Sequence, residues 1–222
     1  MSSSEEISQN NIPEYFNYPR KEIIEFIPSN CKTLLDVGCS SGAFGSLVKE
    51  TFGAEVWGVD PSSCVSTITH QVLDHFINNY FSDDLPLPKK HFDVITFNDS
   101  LEHFPDPVPP LETCRSLLKP GGVIVASLPN VRHIDNLRHL LFEMDWKYED
   151  MGIRDRTHLR FFTKKRIERT FEETGYQVLS IKGINRRYWW WGSKRFMPVR
   201  FLIGKWIWDM NYLQFVITAT PR

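Results

Sequence analysis

Along most of this chain, short unbroken apolar runs take turns with stretches whose apolar residues fall at helical spacing. Thr33 to Val37 is a run of the first kind, closed by Gly38, and Ala43 to Phe52 follows with the second pattern, which predicts strand, tight turn, helix. Glu55 to Val59 predicts a second strand ending at Asp60-Pro61, and Ser62 or Ser63 is placed to cap a helix reaching about Leu73. A third strand is expected to run out in INNYFSDDLP. Phe92 to Phe97 predicts another strand, Val108 to Leu118 a helix, and Lys119-Pro-Gly-Gly its stop. Gly122 to Leu128 is then a strand, Thr163 to Thr174 a helix ended by Gly175, Tyr176 to Ile181 a strand, and Tyr212 to Ala219 the last one. Strands alternating with helices predict an α/β fold, a mostly parallel sheet covered on both faces. No repeat or low-complexity linker divides the pattern, so residues 1–222 are read as a single domain.

Two segments interrupt the alternation. Residues 131–160 are long for a plain crossover and contain IDNLRHLLFEMDW, whose Leu137, Leu140, Leu141 and Met144 share helical spacing. They predict either an amphipathic helix capping the core or a lid over an acceptor pocket. Residues 182–208 mix lysine, arginine and tryptophan. Such a mixture suits a membrane surface, a lipid-linked or phosphorylated sugar, or an interface between two copies of the chain.

Composition narrows the classes without choosing among them. Apolar residues make up 41% and charged residues 24% of the 222, with a formal net charge of −1, which argues against disorder and against general attraction to nucleic acid. Four cysteines without CxxC spacing and a polar amino terminus suggest reduced thiols and a cytoplasmic protein without a signal peptide. No stretch approaches the roughly 18 apolar residues of a membrane helix.

Candidate chemistry begins at LLDVGCSSGAFG. Gly38 and Gly42 permit a tight turn and close approach of a ligand, Gly45 permits close packing of the helix, and the helix amino terminus offers free N–H groups. Asp60 stands at the end of the next strand, about 20 residues on, where a carboxylate can accept hydrogen bonds from both hydroxyls of a ribose. The expected ligand is therefore a nucleoside. Ser40 replaces the middle glycine of a dinucleotide fingerprint, which counts against a nicotinamide dehydrogenase.

At this point LLDVGCSSGAFG, VWGVDPS, FDVITFNDSLEHFPDP, LLKPGGVIVASLPN and HLRFFTKKRIERTFEETGYQV resemble, in that order, the successive motifs of class I S-adenosylmethionine-dependent methyltransferases. The likeness covers about Pro13 to Ile181. SLPNVRH followed by DRTHLRFFT resembles the branch associated with glycan and cell-surface polysaccharide synthesis and, more distantly, quinone-biosynthesis O-methyltransferases. The resemblance implies a Rossmann-like seven-stranded sheet with an antiparallel last strand, and S-adenosylmethionine as cofactor. It also implies that Asp36, Gly38, Cys39, Ser40 and Gly42 face the methionine part. Asp60 would hold the ribose, Pro61 would lie near the adenine, and Asn98, Asp99 and Leu101 near the sulfonium. The acidic contact to adenine slides between Tyr80 and Asp83, with Asp83 the candidate.

For the acceptor, a sugar hydroxyl needs a general base whereas an amine needs only to arrive unprotonated. His158 and His133 are the candidate catalytic residues. Asn130, Arg132 and Arg156 are the candidate substrate ligands. No metal is expected, because Glu102 and His103 are adjacent and no third ligand has recognisable spacing. His70 and His75, five apart on one expected helix, do not share a face. The expected activity is methylation of oxygen or nitrogen of a sugar or glycan precursor. The alternatives are a quinone or aromatic O-methyltransferase and a non-catalytic cofactor-binding scaffold. Closure of IPEYFNYPRKEIIEFIP and the 131–160 insert over the cofactor is expected as well.

Overall fold

The computed structural model describes residues 18–64, 66–186 and 208–222. In chain order these form β1 (Thr33–Val37), α1 (Ala43–Phe52), β2 (Glu55–Val59), α2 (Ser66–Val72), β3 (His75–Ile77), β4 (Phe92–Asn98), α3 (Val108–Leu117), β5 (Leu118–Pro129), α4 (Ile134–Arg138), α5 (Lys164–Glu173), β6 (Tyr176–Arg186) and β7 (Tyr212–Pro221). One seven-stranded sheet runs β3-β2-β1-β4-β5-β7-β6. β1 to β5 are parallel, and β7 lies antiparallel between β5 and β6. This is the expected doubly covered sheet with an antiparallel last strand.

The apolar runs form strands because both faces of the sheet are buried. Every residue of β1 is buried. Leu35, Ile95, Ile124 and Ile217 join one core with Phe171 and Tyr176; Leu34, Val94, Val125 and Val216 join the other with Val48 and Val56. Each such fully buried side chain stabilises the fold by about 1.5–3 kcal/mol. Gly45 meets its expected role: a Cβ there would lie 2.5 Å from Leu73 Cδ2 and 3.0 Å from Val56 Cγ1.

Four expectations change. β3 is only three residues long and stops at Ile77, so of INNYF only the first residue belongs to the strand. His75 starts that strand instead of sharing a helix with His70. Lys119-Pro-Gly-Gly is not the end of an element but an irregularity inside β5: Leu118 already pairs with Phe92, and pairing resumes at Val123 with Val94. Finally, the run after Val131 does not cap the core. α4 is five residues long and widens into a π turn at His139–Glu143, which spreads positions that a regular helix would stack on one face. Leu141, Phe142 and Met144 are 68%, 77% and 87% exposed.

Of the basic, tryptophan-rich stretch, residues 187–207 lie outside the described residues, as do residues 12–17 of the expected amino-terminal lid. Among the described residues no helix is long and apolar enough to cross a membrane.

Candidate functional site

Strand order reverses between β1 and β4, and ligands of such sheets lie beyond the carboxyl ends of the strands at that point. The turn after β1 is built there. Gly38 and Gly42 have φ of 79° and 80°, and Ser40 holds 49°. A Cβ on Gly38 would come 2.5 Å from Ser100 Cβ, so glycine is required both by the backbone and by the neighbouring loop. Asp60 fixes the turn from the end of β2: its Oδ2 accepts from the Ser40 N–H at 2.8 Å and its Oδ1 from the Ser62 N–H at 2.8 Å. Thr69 Oγ1 donates to the Ser40 carbonyl at 2.7 Å.

Asp36, in β1, is buried; it accepts from Thr96 Oγ1 at 2.6 Å and from Asn98 Nδ2 at 3.3 Å. Burial lifts its carboxyl to about 6 against those hydrogen bonds. Asn98 Oδ1 is buried with no hydrogen-bond partner. Cys39 is buried behind the turn, and burial holds its thiol well above the usual range. The lining thus gathers two carboxylates and an orphaned amide oxygen around a stretch cleared of side chains. Acceptors in that number suit a ligand with an ammonium, a sulfonium and ribose hydroxyls, and oppose the diphosphate of a nicotinamide dinucleotide.

Asp99 follows β4 with φ 49° and is held by the amino-terminal strap. Arg20, itself at φ 48°, donates through Nη1 to Asp99 Oδ2 and through Nη2 to Ser127 Oγ at 3.1 Å. Gln214 Nε2 donates to Asp99 Oδ2 at 2.6 Å, and Gln214 Oε1 accepts from Asn185 Nδ2 at 2.7 Å. The strap, the β4 loop and the ends of β5, β6 and β7 therefore meet in one hydrogen-bond network.

Several candidate residues are engaged elsewhere. Leu101 is fully buried in the core and has no surface toward a cofactor. Pro61 and Asp83 are exposed. Asn130, fully buried, donates to the Asp209 and Tyr212 carbonyls at 2.8 and 3.0 Å and accepts from the Arg132 N–H at 3.1 Å, so its amide ties β5 to β7 rather than reaching a substrate. Arg132 clamps Asp209 through Nε at 2.8 Å and Nη2 at 3.3 Å. Arg156 pairs on the surface with Asp150 at 2.6 Å. His133 is fully buried at the start of α4, where its Nδ1 accepts from the Asp135 N–H at 3.4 Å, a capping role that leaves no surface for base work.

His158 is different. It lies beside Glu102 and His103, and one ligand atom from each of the three lies within 4.8 Å of the others. The Glu102 carbonyl accepts from the Leu159 and Arg160 N–H groups at 2.9 and 3.0 Å, which pins the end of the insert to the loop after β4. The Glu102 side chain is fully buried, and neither carboxylate oxygen has a hydrogen-bond partner. Burial pushes that carboxyl well above the usual range, with Asp99 adding to it. Burial, then His103, lowers His158. The sequence spacing could not show this trio, because only the fold returns His158 to the β4 loop.

The pattern of the methyltransferase domain family matches residues 12–181. The chain belongs to that family. It is an S-adenosylmethionine-dependent methyltransferase of the Rossmann-like class. Its sequence is 28% identical over 170 residues to the ubiquinone biosynthesis O-methyltransferase of Coxiella burnetii, covering 74% of this chain and 72% of that one. The corresponding enzyme of Neisseria meningitidis is 27% identical over 162 residues, covering 69% and 67%. In structure the methyltransferase resembles a SAM-dependent methyltransferase from Archaeoglobus fulgidus, with a TM-score of 0.64 at 21% identity over 89% of this chain and 90% of the other.

Proposed function

We propose that this methyltransferase acts on oxygen of a small phenolic ring precursor of the quinone type. The observation that carries the reading is the likeness, over 170 residues, to an enzyme named for O-methylation in ubiquinone biosynthesis. The motifs SLPNVRH and DRTHLRFFT suggested a glycan acceptor, but the relatives reported above carry the quinone name instead. Physical chemistry runs the same way. The polar side chains expected to grip a sugar, Asn130 and Arg132, are spent on Asp209 and Tyr212. The insert beside the site shows Leu140, Leu141, Phe142 and Met144 to solvent, which suits an acceptor with an apolar part.

S-adenosylmethionine supplies a methyl group on a positively charged sulfur. This chain's task is to hold donor and acceptor close and aligned. Asp60 and the glycine turn fix one end, Asp36 and Asn98 the other, and the Arg20–Asp99 contact closes the amino-terminal strap over the β4 loop. A phenol ionises near 10, far more readily than a sugar hydroxyl, so the demand on a base is smaller. The test is formation of S-adenosylhomocysteine with a prenylated catechol and, separately, with nucleotide sugars. Turnover of the catechol is expected; turnover of nucleotide sugars alone would overturn the reading.

A further inference from the structure

We infer that the outward face of residues 138–151 is a docking surface for a second copy of this chain, paired about a two-fold axis. Eight of the twelve large apolar side chains that stand exposed among the described residues fall between Leu140 and Phe161, with Phe142 and Met144 the most open of them. They form one surface rather than scattered points, because the Trp146 ring packs edge-on against Phe161, centroids 5.1 Å apart, and joins the two ends of the stretch. Single apolar residues on a surface need no explanation; a gathered set marks an interaction site.

The face is also held still. α4 and the π turn after it make ten residues together, fewer than the about 12–15 at which a helix is stable alone. Polar contacts anchor its inner side instead: Asn136 Nδ2 donates to the Val131 carbonyl at 2.7 Å, and Arg154 Nη1 donates to Asn136 Oδ1 at 3.2 Å. Little ordering of the backbone therefore remains to be done when a partner arrives.

Charge selects the occupant. Between Arg138 and Met151, Glu143, Asp145, Glu149 and Asp150 stand against Arg138 and Lys147. An anionic membrane attracts basic faces, so this acidic excess opposes lipid. A second copy supplies both signs. With the two segments antiparallel and crossing between Leu141 and Phe142, Arg138 of each copy comes level with Asp145 of the other, and the apolar side chains meet at the axis. Such a face is complementary to itself, as a two-fold contact has to be. Within one copy Arg138 meets Glu143 at 3.7 Å on the surface, a contact that contributes little and can give way. Covering the face from both sides also gives an apolar part of the acceptor a dry place to lie; that consequence rests on the quinone-type reading, whereas the pairing does not.

The experiment is sedimentation velocity of the full chain across the micromolar range, where the wild type should pass from monomer to dimer. Phe142→Asp should weaken pairing at least about 30-fold, as loss of a central aromatic anchor does. Arg138→Asp should weaken it at least about 10-fold by setting like charges opposite each other. Combining Arg138→Asp with Asp145→Arg should regain the dimer. S-adenosylhomocysteine binding checks that each variant is folded, and unfolding below the dissociation range should be unchanged, since the fold of each copy does not depend on this face. A wild type that stays monomeric, undiminished pairing by folded Phe142→Asp, or a double variant that stays monomeric would overturn the proposal. So would a monomer that sediments with phosphatidylcholine and phosphatidylglycerol vesicles and loses them on Phe142→Asp. Failure of an intact dimer to methylate the catechol would instead count against the acceptor reading alone.

Discussion

Asp60 does two jobs at once: its carboxylate accepts the Ser40 and Ser62 N–H groups, and the cofactor's ribose is expected on the same residue. Asp60→Ala should therefore loosen the turn as well as the ligand. With hydrogen bonds to a charged group contributing about 1.5–3 kcal/mol, S-adenosylhomocysteine binding should weaken about 10- to 150-fold in calorimetric titration. Asp36 gives a pH signature. Its carboxyl is raised from 3.8 to about 6 in the folded chain, so the protonated form is the one folding favours. The contribution is fully present below 3.8 and is lost as pH rises through about 6. Above that, ionised Asp36 costs on the order of 3 kcal/mol, and Asp36→Asn removes the cost. Urea unfolding from about pH 4 to about pH 7 should show the variant gaining on the wild type as pH rises; a constant difference would contradict this.

At the scale of elements, what the sequence made legible followed from burial. β1, β2 and β4 are short apolar runs because both faces are covered, and α5 is announced by Thr163, whose hydroxyl caps it by accepting from the Arg166 N–H. β3 was not legible, since three residues paired only with β2 carry no period. The first turn of β5 was hidden behind residues that normally stop a helix. Insert residues Leu140, Leu141 and Met144 follow helical spacing without a core to face, because the π turn breaks the stack. Leu141→Lys and Met144→Lys should consequently shift unfolding by no more than about 0.5 kcal/mol, as ordinary surface changes do. A loss of several kcal/mol in denaturant titration would restore the buried-cap reading. Gly45→Ala should behave oppositely: the added methyl meets Leu73 at 2.5 Å, and such overpacking costs about 1–3 kcal/mol.

For the whole molecule, Asp36, the Gly38–Gly42 turn and Asp60 were readable as candidates because they lie on one continuous stretch. The Glu102–His158 contact and the Arg20–Asp99–Gln214 network were not, because each joins residues far apart in sequence that only the sheet brings together. Members of that network should act as a unit. Arg20→Ala and Gln214→Leu combined should depart from additivity by about 0.5–3 kcal/mol in denaturant unfolding; strict additivity would show that the two do not communicate. Arg20, Asp99 and Asn185 all keep left-handed backbones within it, at 48°, 49° and 52°. That shared strain has a consequence for recombining this chain with a relative. A crossover anywhere between the strap and β7 would give a chimera whose first and last segments come from different parents. Such hybrids should fail at this seam even when every strand is intact, so the two ends of the chain have to be inherited together.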